Sequence, residues 1–367
     1  MASFPIQPEQ LTAEWFTEAL RGADALGDHN SVTGFDVSFI GDGVGLLGMV
    51  IRVGLTYADP GPSAGPDSVV IKFAHPVAEN RAIAANLNMY EREVKFFNDI
   101  APEVDVPKPV CYFAGMDHES GSNIVVLEDL KRYRAGDQVA GVTTDEAKMV
   151  IDAIAPLHAR YWGKTDTHLL RDMMRIDGNY VEPFTPSLEF TWQPALANFG
   201  SVVPDEVKVG IAHYVSKMPE IMRLMGQRTQ TLIHGDVRMD NAMFGDGLPG
   251  LHPVVMLDWQ AIMVSNPLQD LAWMLSACIP AEQRRATEDE LVRYYHQALL
   301  NHGVTGYSFE QCLDDYDVAL LFMFSYPIII AGAFDPANER GKALAVESLR
   351  RSAQCVADRK LFSRIPA

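Results

Sequence analysis

Apolar residues recur along this chain with two periods, and the switches between them mark out the elements. Leu11, Trp15, Phe16, Ala19 and Leu20 have helical spacing within residues 8–23. Residues 32–40 and 49–57 alternate and are rich in β-branched and aromatic side chains, which predicts two strands, and 68–74 reads as a third. Ile83, Leu87, Tyr90, Val94 and Phe97 return every three or four positions, so one helix with one apolar face is expected there. Residues 110–114 and 123–127 read as two further strands. Thr143, Thr144, Asp145 and Glu146 form a capping box that opens a helix with its stripe at Ala147, Val150, Ile151, Ile154, Leu157, His158 and Tyr161. His158 on that stripe reads as a core histidine. Residues 207–225, 282–301, 309–333 and 338–362 are helical by period, whereas 173–200 reads as irregular, with Tyr180, Phe184, Phe190, Trp192 and Phe199 in it.

One stretch breaks both rhythms. Residues 232–244 begin apolar, turn polar at Gly235, and become apolar again at Ala242, Met243 and Phe244, so Asp236 and Asn241 share a loop between two strands. A second apolar run, 253–257, ends in Asp258 and Trp259, and Gly247, Pro249 and Gly250 lie between the runs. A hairpin there would set Asp258 beside the Asp236–Asn241 loop. Three polar side chains at the rim of an apolar hairpin suit phosphoryl transfer. Asp236 would orient an acceptor hydroxyl and take its proton, and Asn241 and Asp258 would give hard oxygen ligands to the Mg²⁺ of a nucleotide. The bland alternative is a polar turn whose Asp and Asn cap backbone groups.

Two upstream features fit the same chemistry. Residues 41–48 carry four glycines, Gly41, Gly43, Gly45 and Gly48, between two expected strands, so the backbone can approach phosphates closely. A tight hairpin would need the same glycines. Lys72 lies inside an apolar strand, where a lysine is costly to bury unpaired. It reads either as the lysine that holds nucleotide phosphates or as one reaching solvent from a sheet edge.

The pairing of His234-Gly235-Asp236 and Asn241 with Leu257-Asp258-Trp259 resembles the aminoglycoside phosphotransferase/choline kinase superfamily, and within it the ecdysteroid kinase-like branch most. The resemblance implies a two-lobed, protein-kinase-like α+β fold: a small antiparallel-sheet lobe and a larger, mainly helical lobe. Residues 1–130, with an N-terminal helix, would be the nucleotide-binding lobe, and 131–367 the catalytic and substrate-binding lobe. It implies transfer of the γ-phosphoryl group of Mg-bound ATP, GTP not being excluded, to a hydroxyl of a small organic acceptor. The family pattern Glu-x-x-aromatic-aromatic falls on Glu93, Phe96 and Phe97, which makes Glu93, rather than Glu91, the partner of Lys72. It also implies adenine contacts at the Glu128 carbonyl and the Leu130 N–H, phosphate contacts near Gly43 and Gly45, and a loop-holding role for Asp270. Gln260 departs from the Glu of many relatives, and Arg238 occupies a position that varies among branches. A catalytically weak or inactive nucleotide-binding interaction module is the alternative. The retained Lys72, Glu93, Asp236, Asn241 and Asp258 argue against it.

Composition narrows the partners. The 367 residues are 48% hydrophobic and 21% charged, with a formal net charge of −18. An acidic chain of this kind lacks the basic face that nucleic acid or an anionic membrane would require. Cys111, Cys278, Cys312 and Cys355 are widely spaced and form no Cys-x-x-Cys pair, so a zinc site or disulfide framework is not expected and a cytoplasmic setting is. Residues 318–334 are uncharged but short for a membrane span and interrupted by Pro327, which reads as a buried helix. The aromatics of 173–200, together with Met222, Met225, Phe322, Phe324 and Tyr326, suggest an apolar pocket for a neutral or weakly polar hydroxylated acceptor, although the same residues would serve as core. The sequence leaves the oligomeric state open.

Overall fold

The computed structural model describes residues 4–44, 48–61, 65–334 and 338–366. The strands are β1 Val32–Val44, β2 Gly48–Tyr57, β3 Ser68–Ala74, β4 Cys111–Asp117, β5 Ser122–Glu128, β6 Arg134–Ala135, β7 Thr231–Ile233, β8 Ala242–Phe244, β9 Val254–Met256 and β10 Met263–Ser265. The helices are α1 Ala13–Gly22, α2 Ala78–Asn86, α3 Met89–Lys95, α4 Thr144–Arg160, α5 Val181–Phe199, α6 Asp205–Ser216, α7 Met218–Gly226, α8 Leu268–Cys278, α9 Ala281–Asn301, α10 Phe309–Met323, α11 Ser325–Gly332 and α12 Glu339–Asp358. They fall into two compact units, Met1–Glu103 with Lys108–Arg132, and Val104–Pro107 with Tyr133–Ala367.

The first unit is a five-stranded antiparallel sheet in the order β1-β2-β3-β5-β4. Alternation sends Val69, Ile71 and Phe73 of β3 into a core with Ile51, Val53, Ile124 and Val126, closed by Phe16 and Leu20 of α1. Strand period 2 then sends Lys72 to the opposite face. Strand β1 runs on to Val44, past the expected end at residue 40, so Gly43 lies within it; Gly45 lies outside the described residues. The single helix expected from Ile83 to Phe97 is instead two. Asn88 adopts a left-handed φ of 50° between α2 and α3, a conformation Asn tolerates better than most residues.

The second unit carries short strands among helices. Strand β8 lies between β6 and β9, and β7 pairs with β10. The expected helix over 207–225 is broken into α6 and α7 at Lys217, with Pro219 in the first turn of α7. Residues 173–200, expected to be irregular, contain the 19-residue helix α5 despite Pro186 and Pro194 inside it. Tertiary packing outweighs the missing N–H groups there. Helix α5 lies against α11, so close that a Cβ on Gly332 would come 2.1 Å from the Thr191 carbonyl oxygen. Phe309–Gly332 is long and apolar enough to cross a membrane, but 72% of its most apolar window is buried inside the protein, which fits the core helices α10 and α11.

Candidate active site

In the first unit, Lys72 Nζ meets Glu93 Oε1 at 2.5 Å, with the Glu93 side chain 2% exposed. Glu91 is exposed, so the choice between the two acids follows from the helix face. Glu128 ends β5, where its amide donates to the Val110 carbonyl and its Oε2 accepts from the Val110 amide. Leu130 is buried. Asp129 between them accepts from Arg52 Nε at 2.8 Å, Arg52 Nη2 at 3.1 Å and Ser68 Oγ at 2.7 Å, tying the end of β5 to β2 and β3. Burial alone would raise the pKa of Asp129, but the Arg52 and Ser68 hydrogen bonds outweigh it and hold the carboxyl below its ordinary value.

In the second unit, the hairpin expected from the sequence forms. Ala242 pairs with Met256, and the Leu257 amide donates to the Asn241 carbonyl at 2.8 Å. Asn241 just before β8 and Asp258 just past the end of β9 are thereby neighbours. Asp258 has a left-handed φ of 63°, and its Oδ2 accepts from Gln260 Nε2 at 3.1 Å. A Glu at 260 would set a second negative charge in that place. Asn241 Nδ2 donates to the Asp236 carbonyl at 3.0 Å and to Asp236 Oδ2 at 2.9 Å. Both partners are acceptors, so the amide oxygen is left as the end that can face a cation.

Asp236 is held from three directions. Besides Asn241, its Oδ2 accepts from Arg238 Nε at 3.1 Å, and its Oδ1 accepts from Trp273 Nε1 at 3.0 Å. Arg238 Nη1 also donates to Asp240 Oδ2 at 3.2 Å. Burial works to lower the pKa of Arg238, but Asp236, Asp240 and Asp258 outweigh it and raise the pKa above its ordinary value, so the guanidinium stays charged.

The loop that presents Asp236 needs glycine at 235, where φ is +85° and a Cβ would lie 2.2 Å from the Ala261 carbonyl oxygen. Asp270, 1% exposed on α8, accepts from the Gly235 amide through Oδ1 at 2.8 Å and from the His234 amide through Oδ2 at 2.8 Å. Its Oδ2 also meets His158 Nε2 at 3.1 Å, and His158 Nδ1 meets the Tyr295 hydroxyl at 2.7 Å. His158 is thus a satisfied core residue that braces Asp270. His234 Nδ1 accepts from the Asp236 amide at 3.2 Å, so its Nε2–H donates to the Leu257 carbonyl at 2.8 Å.

The expected site residues form two sets, Lys72, Glu93, Glu128 and Leu130 in the first unit and Asp236, Asn241 and Asp258 in the second. Among the described residues, no group of three or more His, Cys, Asp or Glu could hold a metal ion. One carboxylate plus one amide oxygen nevertheless fits Mg²⁺, which keeps waters and is commonly bound through one or two carboxylates together with nucleotide phosphates. Met222, Met225, Phe322 and Phe324, expected to line an acceptor pocket, are at most 1% exposed and belong to the core. Tyr326 remains half-buried. Burial pushes the thiols of Cys111, Cys278 and Cys312 up to about 12, which leaves them poor nucleophiles at neutral pH.

The model of the ecdysteroid kinase-like family matches residues 43–304, well over half of the chain. The chain belongs to that family. No curated protein sequence matches it. Among solved structures, choline kinase from Cryptosporidium parvum is 10% identical, with a TM-score of 0.55 over 94% of this chain and 96% of that one. Ethanolamine kinase from Plasmodium vivax is 11% identical, with a TM-score of 0.51 over 97% and 91%. The GDP complex of aminoglycoside 2'-phosphotransferase-IIIa is 12% identical, with a TM-score of 0.54 over 93% and 98%. At these identities the likeness is one of fold, and it gives this ecdysteroid kinase-like chain the two-lobed, kinase-like architecture. Arg238, Gln260 and Trp273 are the site residues that sequence reasoning passed over. The first two were noted only as departures, and Trp273 gave no signal beyond its place three residues after Asp270.

Proposed function

We propose that this chain is a small-molecule kinase that moves the γ-phosphoryl group of Mg-bound ATP, or GTP, to a hydroxyl of a small organic acceptor. The observation that carries this reading is the β8–β9 hairpin, which assembles Asp236, Asn241 and Asp258 around a charged Arg238. Asp236 takes the acceptor's proton as the hydroxyl oxygen forms its bond to the γ-phosphorus. The bond from that phosphorus to the β,γ-bridging oxygen breaks, its electron pair leaves with the nucleoside diphosphate, and the proton passes to solvent. Asn241 and Asp258 would hold Mg²⁺, which when bound neutralises charge on the phosphates. Lys72, fixed by Glu93, would hold phosphates, with Gly43 and Gly45 near them, and the Glu128 carbonyl and Leu130 N–H would contact the base.

For the acceptor we infer a neutral or weakly polar, fairly large molecule with a ring. Asp177, Glu182 and Glu189, the acids of the stretch once expected to wall the pocket, are all exposed on the surface. A polycation would need acids that converge on the site. The half-buried Tyr326, which meets Trp273 edge-on, instead favours apolar surface burial. Nucleotide consumption with sterol-like, polyketide and aromatic alcohols, against kanamycin and choline, tests the choice. Efficient use of kanamycin or choline with the hydrophobic alcohols inert would overturn the acceptor class and leave the kinase reading in place.

A further inference from the structure

The two oxygens of the Asp236 carboxylate have different surroundings. Among the described residues, Oδ2 takes two donors from the catalytic loop, Asn241 Nδ2 at 2.9 Å and Arg238 Nε at 3.1 Å. These are the groups that adjoin Asp258. Oδ1 takes one donor, Trp273 Nε1 at 3.0 Å, from helix α8. A carboxylate oxygen offers two lone-pair sites, so Oδ2 is filled and Oδ1 keeps one. Trp273 is 1% exposed and cannot swing out to satisfy its N–H in water. Its helix also carries Asp270, whose carboxylate holds the Gly235 and His234 amides. One helix therefore fixes both the backbone before Asp236 and the carboxylate itself.

We propose that Asp236 Oδ1 receives the acceptor hydroxyl and that Trp273 is the positioning residue that holds this oxygen. The proposal rests on the kinase reading above. The side on which the acceptor sits follows from the same contact. The Trp273 indole meets Tyr326 edge-on at 5.6 Å, and Tyr326 in turn adjoins Phe184 and Phe322, each at 5.8 Å. Its hydroxyl lies 3.2 Å from that of Tyr180. The acceptor body packs on the half-buried Tyr326. Trp273 acts through Asp236 and touches no reacting atom.

The test removes the N–H and keeps the ring. Incorporation of β-(3-benzothienyl)alanine at 273 replaces the indole N–H by sulfur with almost unchanged shape, and Trp273→Phe is the coarser variant. Both are assayed as the full chain for ADP release from Mg-ATP, alone, where water takes the acceptor's place, and with 17β-estradiol, a ring alcohol of the inferred size. The expected result is a fall in kcat of about 10-fold or more for both variants, as for other small misplacements of a catalytic group. The KM for Mg-ATP should stay within about two-fold of the unmodified protein, which damaged nucleotide binding would not give. The kcat is referred to the folded fraction measured by nucleotide titration of the same samples, so that loss of folded protein does not count as loss of kcat. An active unmodified protein with the sulfur variant at full kcat, or with its loss confined to the KM for Mg-ATP, overturns the role of Trp273. An unmodified protein that releases no ADP under either condition overturns the kinase reading and this proposal with it.

Discussion

Replacing Asp270 by Asn tests whether the Asp236 loop is held as described. Three donors converge on the Asp270 carboxylate: the Gly235 amide at 2.8 Å, the His234 amide at 2.8 Å and His158 Nε2 at 3.1 Å. An Asn side chain has one acceptor oxygen. In its better orientation that oxygen keeps His234 and His158, and its NH₂ group faces the Gly235 N–H, donor against donor. A hydrogen bond to a charged group is worth about 1.5–3 kcal/mol, and the two that survive lose their charge. Asp270 is 1% exposed, so water cannot make up the loss. The expected destabilisation is about 2–4 kcal/mol. Urea unfolding followed by the fluorescence of Trp259 and Trp273, both buried in the same unit, would measure it. Faster hydrogen exchange at the Gly235 amide would locate it. Because Gly235 directly precedes Asp236, turnover should fall about 100-fold as well. A variant within about 0.5 kcal/mol of the parent, with Gly235 still protected and turnover intact, would refute the reasoning.

Two further outcomes are expected. Asp258→Ala should weaken Mg²⁺-dependent nucleotide binding more than Asn241→Ala does, because a carboxylate brings charge to a hard cation and an amide does not; Mg²⁺ titration with a fluorescent ATP analogue measures both, and equal, small effects would speak against a metal-assisted site. Because the folded pKa of Asp129 is depressed, its contribution is full above the ordinary carboxylate pKa of about 4 and is lost as pH falls through the lower folded value. The melting-temperature gap between the parent and Asp129→Asn should therefore be widest near neutral pH and close in acid; a gap independent of pH would sink this account.

The hairpin that carries the site was legible because its signals are local. Apolar runs, a glycine-rich turn and three polar residues at the rim placed Asn241 beside Asp258 before any packing was known. The Glu93 side of α3 was legible as well, since only one of two nearby acids matched the pattern. What stayed hidden depended on contacts distant in sequence. The indole of Trp273 looked like one more apolar residue on α8, although it lies 37 positions from the carboxylate it holds. Helix α5 was hidden by Pro186 and Pro194, whose cost is met by packing on α11. The broken helix at Asn88 looked continuous because its apolar period carries across the break. Aromatic and methionine residues before and after the site divided into core and candidate pocket only by burial, which periodicity does not report.

The central claim is that Asp236 serves the acceptor hydroxyl in phosphoryl transfer. Its most direct test is product formation from Mg-ATP by the parent chain and by Asp236→Asn, with the phosphate ester identified by mass spectrometry and nucleotide binding measured on the same samples. The expected result is one ester per nucleoside diphosphate from the parent and a rate about 10²–10⁴-fold lower from the variant, with nucleotide binding nearly unchanged. An Asp236→Asn chain that forms ester at the parent rate would contradict the claim.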